Sequence, residues 1–179
     1  MYACCLKLKI FEPHHFCEYM NIAYLLTGGN LGNRLNNINT AKVNIEKLCG
    51  NIVSASSIYE TAAWGIKDQP NFYNQALQIQ TNLSSQQLLQ NIHIVEQEMG
   101  RVRNIKYAAR TIDIDILLFS NSIVHTETLI IPHPFLHERR FALTPLAEIA
   151  EKFIHPVFNK TIQQLLQECS DDCGVYKIS

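Results

Sequence analysis

"RTIDIDILLF", residues 110–119, carries two aspartates, Asp113 and Asp115, inside a run that otherwise reads as a buried apolar strand. Residues two apart on a strand share a face. The two carboxylates are therefore neighbours, roughly 6.5–7 Å apart at Cα, while Ile112, Ile114, Ile116 and Leu118 take the opposite face and can pack against helices. Like charges this close shift each other's pKa or destabilise the fold unless a cation joins them. Mg²⁺ takes one or two carboxylates and completes its shell with water and phosphate oxygens. Two such ions can share a pair of aspartates and clamp a polyphosphate. The alternative is a pair at a solvent-exposed sheet end, salt-bridged to Arg101, Arg103 or Arg110. The D-x-D pattern alone is compatible with both. The loop just ahead, with Arg101, Arg103, Lys106 and Arg110, suits a polyanion lying between cations and carboxylates. A solvated charge run is the plain reading of the same loop.

Moving outward from this strand, residues 21–27 read as a short buried strand ending at Gly28 and Gly29. Residues 33–49 follow with Leu35, Ile38, Val43 or Ile45, and Leu48 near helical period, and Gly50 sits just past the helix end. Residues 52–60 are β-branched and small, a second strand, and 61–71 form a turn-rich loop. In 72–81, Tyr73, Leu77 and Ile79 alternate with Phe72, Asn74, Ala76 and Gln78. A helix over 84–99 opens with Ser84 and Gln87 in capping-box spacing and shows a Leu88, Ile92, Val95, Met99 stripe. With strand 111–119 the order is β-α-β-β-α-β, that of a ferredoxin-like α+β sandwich with helices on an antiparallel sheet. Beyond it the sequence predicts a C-terminal β and helical extension. It comprises short β segments at 123–124 and 129–131, a helical region over 136–150 broken near Pro145, and a helix over 161–169 capped by Thr161.

The chain has 179 residues, 47% hydrophobic and 17% charged, with net charge −1. That composition fits one globular domain and gives no general attraction to nucleic acid or acidic membranes. Residues 1–19 are interrupted by Lys7, Lys9, Glu12, Pro13, His14 and His15, a poor signal peptide, and read as a disordered extension or a start at Met20. The domain expected is 20–179. Six cysteines without a C-x-x-C pair suit a reducing cytoplasm, and a cytoplasmic monomer is expected. The stretch "TGGNLGNR" (27–34) could cradle an anion at a helix start, though a tight strand-to-helix turn explains it as well.

Six segments in order, "GGNLGNR" (28–34), "YETAAWG" (59–65), "DQPNFYNQA" (68–76), "GRVRNIKYAARTIDIDILLF" (100–119), "IPHPFLHERRFAL" (131–143) and "PLAEIA" (145–150), resemble the 6-hydroxymethyl-7,8-dihydropterin pyrophosphokinases of folate biosynthesis. The resemblance implies transfer of pyrophosphate from ATP to the pterin hydroxymethyl group with release of AMP. It implies two Mg²⁺ ions held by Asp113 and Asp115, with Arg101 and Arg110 as catalytic cations. On the ATP side it implies Glu96, Arg101, Arg103, Arg110, Ile116, His133 and Arg139. For the pterin it implies Thr61, Ala62, Trp64, Phe72, Asn74, Asp113 and Phe141, with the rings of Phe72 and Phe141 sandwiching the heterocycle and Asn74 reading its edge. Gly29 stands where the family commonly has serine, Ala62 and Ala63 replace a proline-rich pair, and Tyr107-Ala108-Ala109 replaces a Trp-Gly-Pro type segment in a loop about one residue shorter. The nearest rivals are a nucleotidyltransferase, against which residues 28–40 hold no acid, and an RNA-binding module, against which the central strand carries aspartates where stacking rings belong.

Overall fold

The computed structural model describes residues 20–62, 69–101 and 109–178. Along the chain run β1 (Asn21–Gly29), α1 (Arg34–Leu48), β2 (Asn51–Ala55), β3 (Tyr59–Thr61), β4 (Phe72–Thr81), α2 (Ser85–Glu98), β5 (Asp113–Phe119), β6 (Val124–His125), β7 (Ile130–Ile131), α3 (Arg140–Ala150), α4 (Ile162–Glu168) and β8 (Val175–Lys177). The main sheet has the order β5-β1-β4-β3-β8, with β2 pairing β4 beside β3, and every pairing is antiparallel. It is a mixed α/β architecture built on one antiparallel sheet. No helix among the described residues is long and apolar enough to cross a membrane.

Each face of the sheet has its own core. Ala23, Leu25, Leu77, Ile79, Ile114 and Ile116 meet Ala41 and Ile45 of α1 and Leu88, Ile92 and Val95 of α2. Tyr24, Leu26, Ala76, Leu117 and Leu118 meet Ala142, Leu143 and Leu146 of α3 and Ile162 and Leu165 of α4. The helix ends follow local chemistry. Asn33 accepts from the Asn36 N–H at 3.0 Å, and full capping boxes form at Ser84–Gln87 and Thr161–Gln164. Past α2, Gly100 holds φ +77°, where a side chain would be strained. The buried stripe of α1 is Ile38, Ala41 and Ile45, whereas Leu35 and Val43 face outward.

Three expectations are corrected. The strand expected over 52–60 is two strands, interrupted at Ser56. Its buried hydroxyl accepts from the Ala76 N–H at 3.0 Å while its N–H donates to the Ala76 carbonyl, and this satisfies the backbone where the ladder stops. The break in 136–150 falls at Arg139, between a 3₁₀ turn (Leu136–Glu138) and α3. Pro145 lies within α3, where it removes one backbone hydrogen bond on a helix held by its apolar stripe. Leu118 does not share a face with Ile116, because the β1–β5 register shifts between Tyr24 and Leu25. A β-bulge at Leu117 resets the alternation and puts Leu117 and Leu118 together in the α3/α4 core. Beyond these, β8 pairs with β3 through Tyr59↔Lys177 and Thr61↔Val175, in a tail for which the sequence offers no motif.

Candidate active site

Register places the candidate residues. Gly28 of β1 lies opposite Asp113 of β5 on one side and Asn74 of β4 on the other, and Asn74 lies opposite Tyr59 of β3. Directly opposed residues project to the same face, so Asp113, Gly28 and Asn74 form one row across three strands on the α3/α4 side. One step along, Asp115 lies opposite Leu26, itself opposite Ala76, where the apolar core begins. The two carboxylates share a face as the alternation requires. Gly28 is obligatory in this row, because a Cβ there would stand 2.4 Å from Asn74 Oδ1. Its bareness leaves a floor between carboxylate and amide, two strand spacings or about 10 Å wide. At the next position a Cβ on Gly29 would meet the Thr111 carbonyl at 2.3 Å, so the glycine found where the family commonly has serine fits a tight β1–β5 approach.

Cations gather on Asp113. Arg101 Nη1 lies 2.5 Å from Oδ1 and Arg110 Nη1 lies 2.6 Å from Oδ2. Both readings of the aspartate pair thus start from one geometry, since Arg101 and Arg110 do salt-bridge Asp113. Asp115 is different. Burial first, then the charge of Asp113, push its pKa up to about 7, against the opposing pull of Arg139 and Arg101. His133 is held through its N–H by the carbonyl of the bulged Leu117 at 2.9 Å. Burial and the nearby Arg139 charge push its pKa down to about 4, so the ring is neutral. Its Nδ1 accepts from the Phe135 N–H, which leaves the proton on Nε2, 3.4 Å from Arg139 Nη1. Two donors converge there, and the Arg139 guanidinium also sits 5.7 Å over the Phe141 ring.

On the opposite wall Asn74, buried, donates from Nδ2 to Thr61 Oγ1 at 2.8 Å. Phe72, half-buried, has the Arg110 guanidinium 5.7 Å above its ring. The site therefore brings together Arg101, Arg110, Asp113, Asp115, His133 and Arg139 around the carboxylates, and Thr61, Phe72 and Asn74 on the far wall.

A family model for 7,8-dihydro-6-hydroxymethylpterin-pyrophosphokinase matches residues 24–151. The chain belongs to this pyrophosphokinase family. It is 40% identical over 149 residues to the 2-amino-4-hydroxy-6-hydroxymethyldihydropteridine pyrophosphokinase of Aquifex aeolicus, spanning 83% of this chain and 92% of that protein. It is 41% identical over 133 residues to the Bacillus subtilis pyrophosphokinase, 74% of this chain and 80% of that one. It is also 41% identical over 158 residues to a folic acid synthesis protein of Dictyostelium discoideum, spanning 88% of this chain and only 24% of that protein. A crystal structure of Plasmodium falciparum HPPK-DHPS superposes with TM-score 0.72 at 20% identity, covering 83% of this chain and 45% of that one.

Against the family's implied site, three positions need comment. Ile116 points into the α1/α2 core, so only its main chain could face a nucleotide. The Glu96 carboxylate is nearly inaccessible; it accepts the Ile114 N–H at 2.9 Å and binds Arg101, which places it behind the site, holding β5 and an arginine rather than facing a ligand. Trp64 and Arg103 lie outside the described residues.

One pyrophosphokinase residue escaped sequence reasoning. Asn30, 3% exposed, donates from Nδ2 to Gln69 Oε1 and to the Pro70 carbonyl, and its Oδ1 accepts from the Arg110 N–H at 2.8 Å. The Asn30 and Leu31 amides both donate to the Arg110 carbonyl. These bonds fold the start of the "TGGNLGNR" stretch as a tight turn against the β5 side, ahead of the α1 N-cap Asn33. The only hint of Asn30 was an amide, able to donate and accept at once, set between glycines.

Proposed function

We propose that this protein transfers the pyrophosphoryl group of ATP to the hydroxymethyl oxygen of 6-hydroxymethyl-7,8-dihydropterin, forming the pterin diphosphate and AMP in folate biosynthesis. The observation that carries the reading is the Asp113–Gly28–Asn74 row: an acid to orient a hydroxyl, a bare backbone floor, and an amide to read a heterocycle edge. The pterin lies on that floor, with Phe72 and Phe141 on its faces and Thr61 and Ala62 beside it. Ring stacking supplies area, while the amide supplies selectivity.

The reaction joins the pterin oxygen to the β-phosphorus and breaks the bond from that phosphorus to the oxygen bridging to the α-phosphate. Placement and charge neutralisation carry such a transfer. Asp113 orients the attacking hydroxyl. Arg101 and Arg110, within reach of Asp113 from two sides, turn onto the phosphates and offset charge developing on AMP. His133 Nε2–H and Arg139 donate to the nucleotide, and Glu96 holds Arg101 from behind. Among the described residues no three His, Cys, Asp or Glu side chains cluster as a protein-only metal cage. A two-carboxylate face beside phosphate-binding cations instead fits Mg²⁺, which keeps water and phosphate ligands. Asp113 and Asp115 would hold two such ions, which would supply Lewis-acid neutralisation of the triphosphate. The strand order and the two helices on one face support a ferredoxin-like βαββαβ core with an added C-terminal part.

The test is incubation with ATP, Mg²⁺ and hydroxymethyldihydropterin, followed by identification of the nucleotide product. AMP with a pterin diphosphate is expected. Free pyrophosphate would point to nucleotidyl transfer, and ADP to ordinary kinase chemistry; either would reject the reading.

A further inference from the structure

The family match ends at residue 151, yet the tail beyond α4 reaches back to both walls of the pterin side. At the first wall it meets the start of α3. The N-cap residue there, Arg139, provides no side-chain cap. Asp171 supplies it from outside: its Oδ2 accepts the Arg140 N–H at 2.9 Å. The Arg140 side chain answers, donating from Nε to the Asp171 carbonyl at 2.5 Å and from Nη2 to the Cys169 carbonyl at 2.8 Å. Asp171 Oδ1 accepts the Cys173 N–H at 3.0 Å, which fixes the carboxylate's direction. A carboxylate on the first N–H of a helix is favoured both as a charge-assisted bond and by the helix dipole. Arg140 lies between Arg139 and Phe141, so its anchoring sets the backbone from which both project.

At the second wall the tail runs along β3. The Cys173 thiol is within hydrogen-bond reach of the Ala62 main chain, and Val175 pairs with Thr61. Farther on, the Ile178 N–H donates to the Ile58 carbonyl at 2.9 Å, and Lys177 Nζ lies 3.2 Å from Glu148 of α3, whose carboxylate also accepts from Ser57 and Tyr59. One strip of about ten residues therefore ties the helix that carries Phe141 to the strand that carries Thr61. Cys169, buried in the α3/α4 core, anchors its near end.

We infer that the 169–178 tail is a latch that sets the spacing of the pterin pocket, with Asp171 as its positioning residue, acting through Arg140 on Phe141. The inference rests on the pterin assignment of Phe141 and Thr61 given above. Asp171 touches no substrate; its role is to hold the wall. The pterin, which contacts both tied elements, feels the loss of the latch more than ATP, most of whose assigned contacts lie on β5 and the Arg101–Arg110 loop.

The test is steady-state kinetics and thermal melting of the full chain. In Asp171→Ala the KM for hydroxymethyldihydropterin should rise roughly five- to tenfold, the scale of a lost charge-assisted hydrogen bond, with the KM for ATP within about twofold. Asp171→Asn keeps an acceptor oxygen and should recover most of the loss. Ile45→Ala, a core truncation in α1 on the opposite face of the sheet, lowers the melting temperature without touching the latch and should leave the pterin KM unchanged. The latch is overturned if Asp171→Ala has a normal pterin KM, or if Ile45→Ala raises it equally, since the effect would then be general destabilisation. Phe141→Ala separates two failures. A normal pterin KM there overturns the pocket assignment itself, whereas a raised KM there beside a normal one in Asp171→Ala overturns only the latch.

Discussion

The α1/α2 face of the sheet is buried along its length and mostly apolar, interrupted by the buried Thr27, Gln75 and Thr81, whereas the α3/α4 face is apolar at one end and carries the open acid–amide row at the other. Both faces use the same strands, and the same alternation of β1, β4 and β5 supplies both. The difference begins two residues past Leu26, where the row Asp113–Gly28–Asn74 replaces the row Asp115–Leu26–Ala76. A strand can serve a core and a reactive site together when the change occurs along its length rather than across it. Substitutions on the first face should therefore cost stability, and those at the polar end of the second should cost chemistry.

The largest separation is expected from Asp113→Ala or Asp115→Ala. Turnover should fall by at least about 10³-fold, equivalent to some 4 kcal/mol of transition-state stabilisation. The urea midpoint of Asp115→Ala should be unchanged or higher because a buried, repelled carboxylate is gone, whereas Asp113→Ala also loses its ion pairs to Arg101 and Arg110. Near-normal rates in either variant would remove the distinction between the faces. Leu77→Ala, on the apolar face and fully buried, is its mirror image. It should cost about 3 kcal/mol in chemical denaturation while kcat per folded molecule stays at the parent value. Arg110→Ala should lower kcat about a hundredfold, near 2.7 kcal/mol, with a smaller change in nucleotide affinity by calorimetry; an unchanged kcat would assign the arginine to binding alone.

The apolar end of the second face offers a pH test. His155, buried, has its pKa pushed down to about 4 by burial and by His137, and its Nδ1 accepts from the Val157 and Phe158 N–H groups. Between the ordinary histidine pKa and about 4, the unfolded chain binds a proton that the folded protein refuses. Stability is therefore full above the ordinary value, falls as pH drops through that window, and levels off below it. The loss should be on the order of 2 kcal/mol. Because His133 and Asp115 titrate in the same window, the test is the difference between the parent and His155→Asn, which keeps an acceptor: denaturation midpoints across pH 4–7 should fall less steeply toward acid in the variant. Smallest is Asn74→Ala, with about a tenfold loss of pterin affinity and none for ATP. Intact pterin binding in that variant would take the amide out of the recognition row.

Sequence reading was most reliable where a pattern repeats locally. The alternation in 113–116 located the carboxylates, and the stripe Leu88, Ile92, Val95 with its capping box located α2. It failed where a contact spans the chain. Asn30 reaches residues 40 and 80 positions away, and no local period announces such a junction. The bulge escaped because "ILLF" is apolar at every position and accepts either phase. The split at Ser56 escaped because β-branched and small residues continue across it. In the tail, a three-residue strand carries no period at all, and Asp171 became meaningful only once Arg140 lay beside it.

The extra residue in β5 has a consequence for chain length. Deleting Leu117 would leave Asp113, Asp115, Leu118 and Phe119 on their present faces, because Leu118 already pairs with Tyr24 and Ile116 with Leu25. It would also take away the carbonyl that secures His133. Deleting Ile116 instead would give a strand of the same length, with Leu117 taking the place opposite Leu25, so both acids keep their face either way. The bulge is thus a spare residue: a gap at 116 or 117 would shorten the protein and unfasten a histidine, whereas a gap at Ile114, outside it, would bring Asp113 opposite Thr27 and turn that acid inside out.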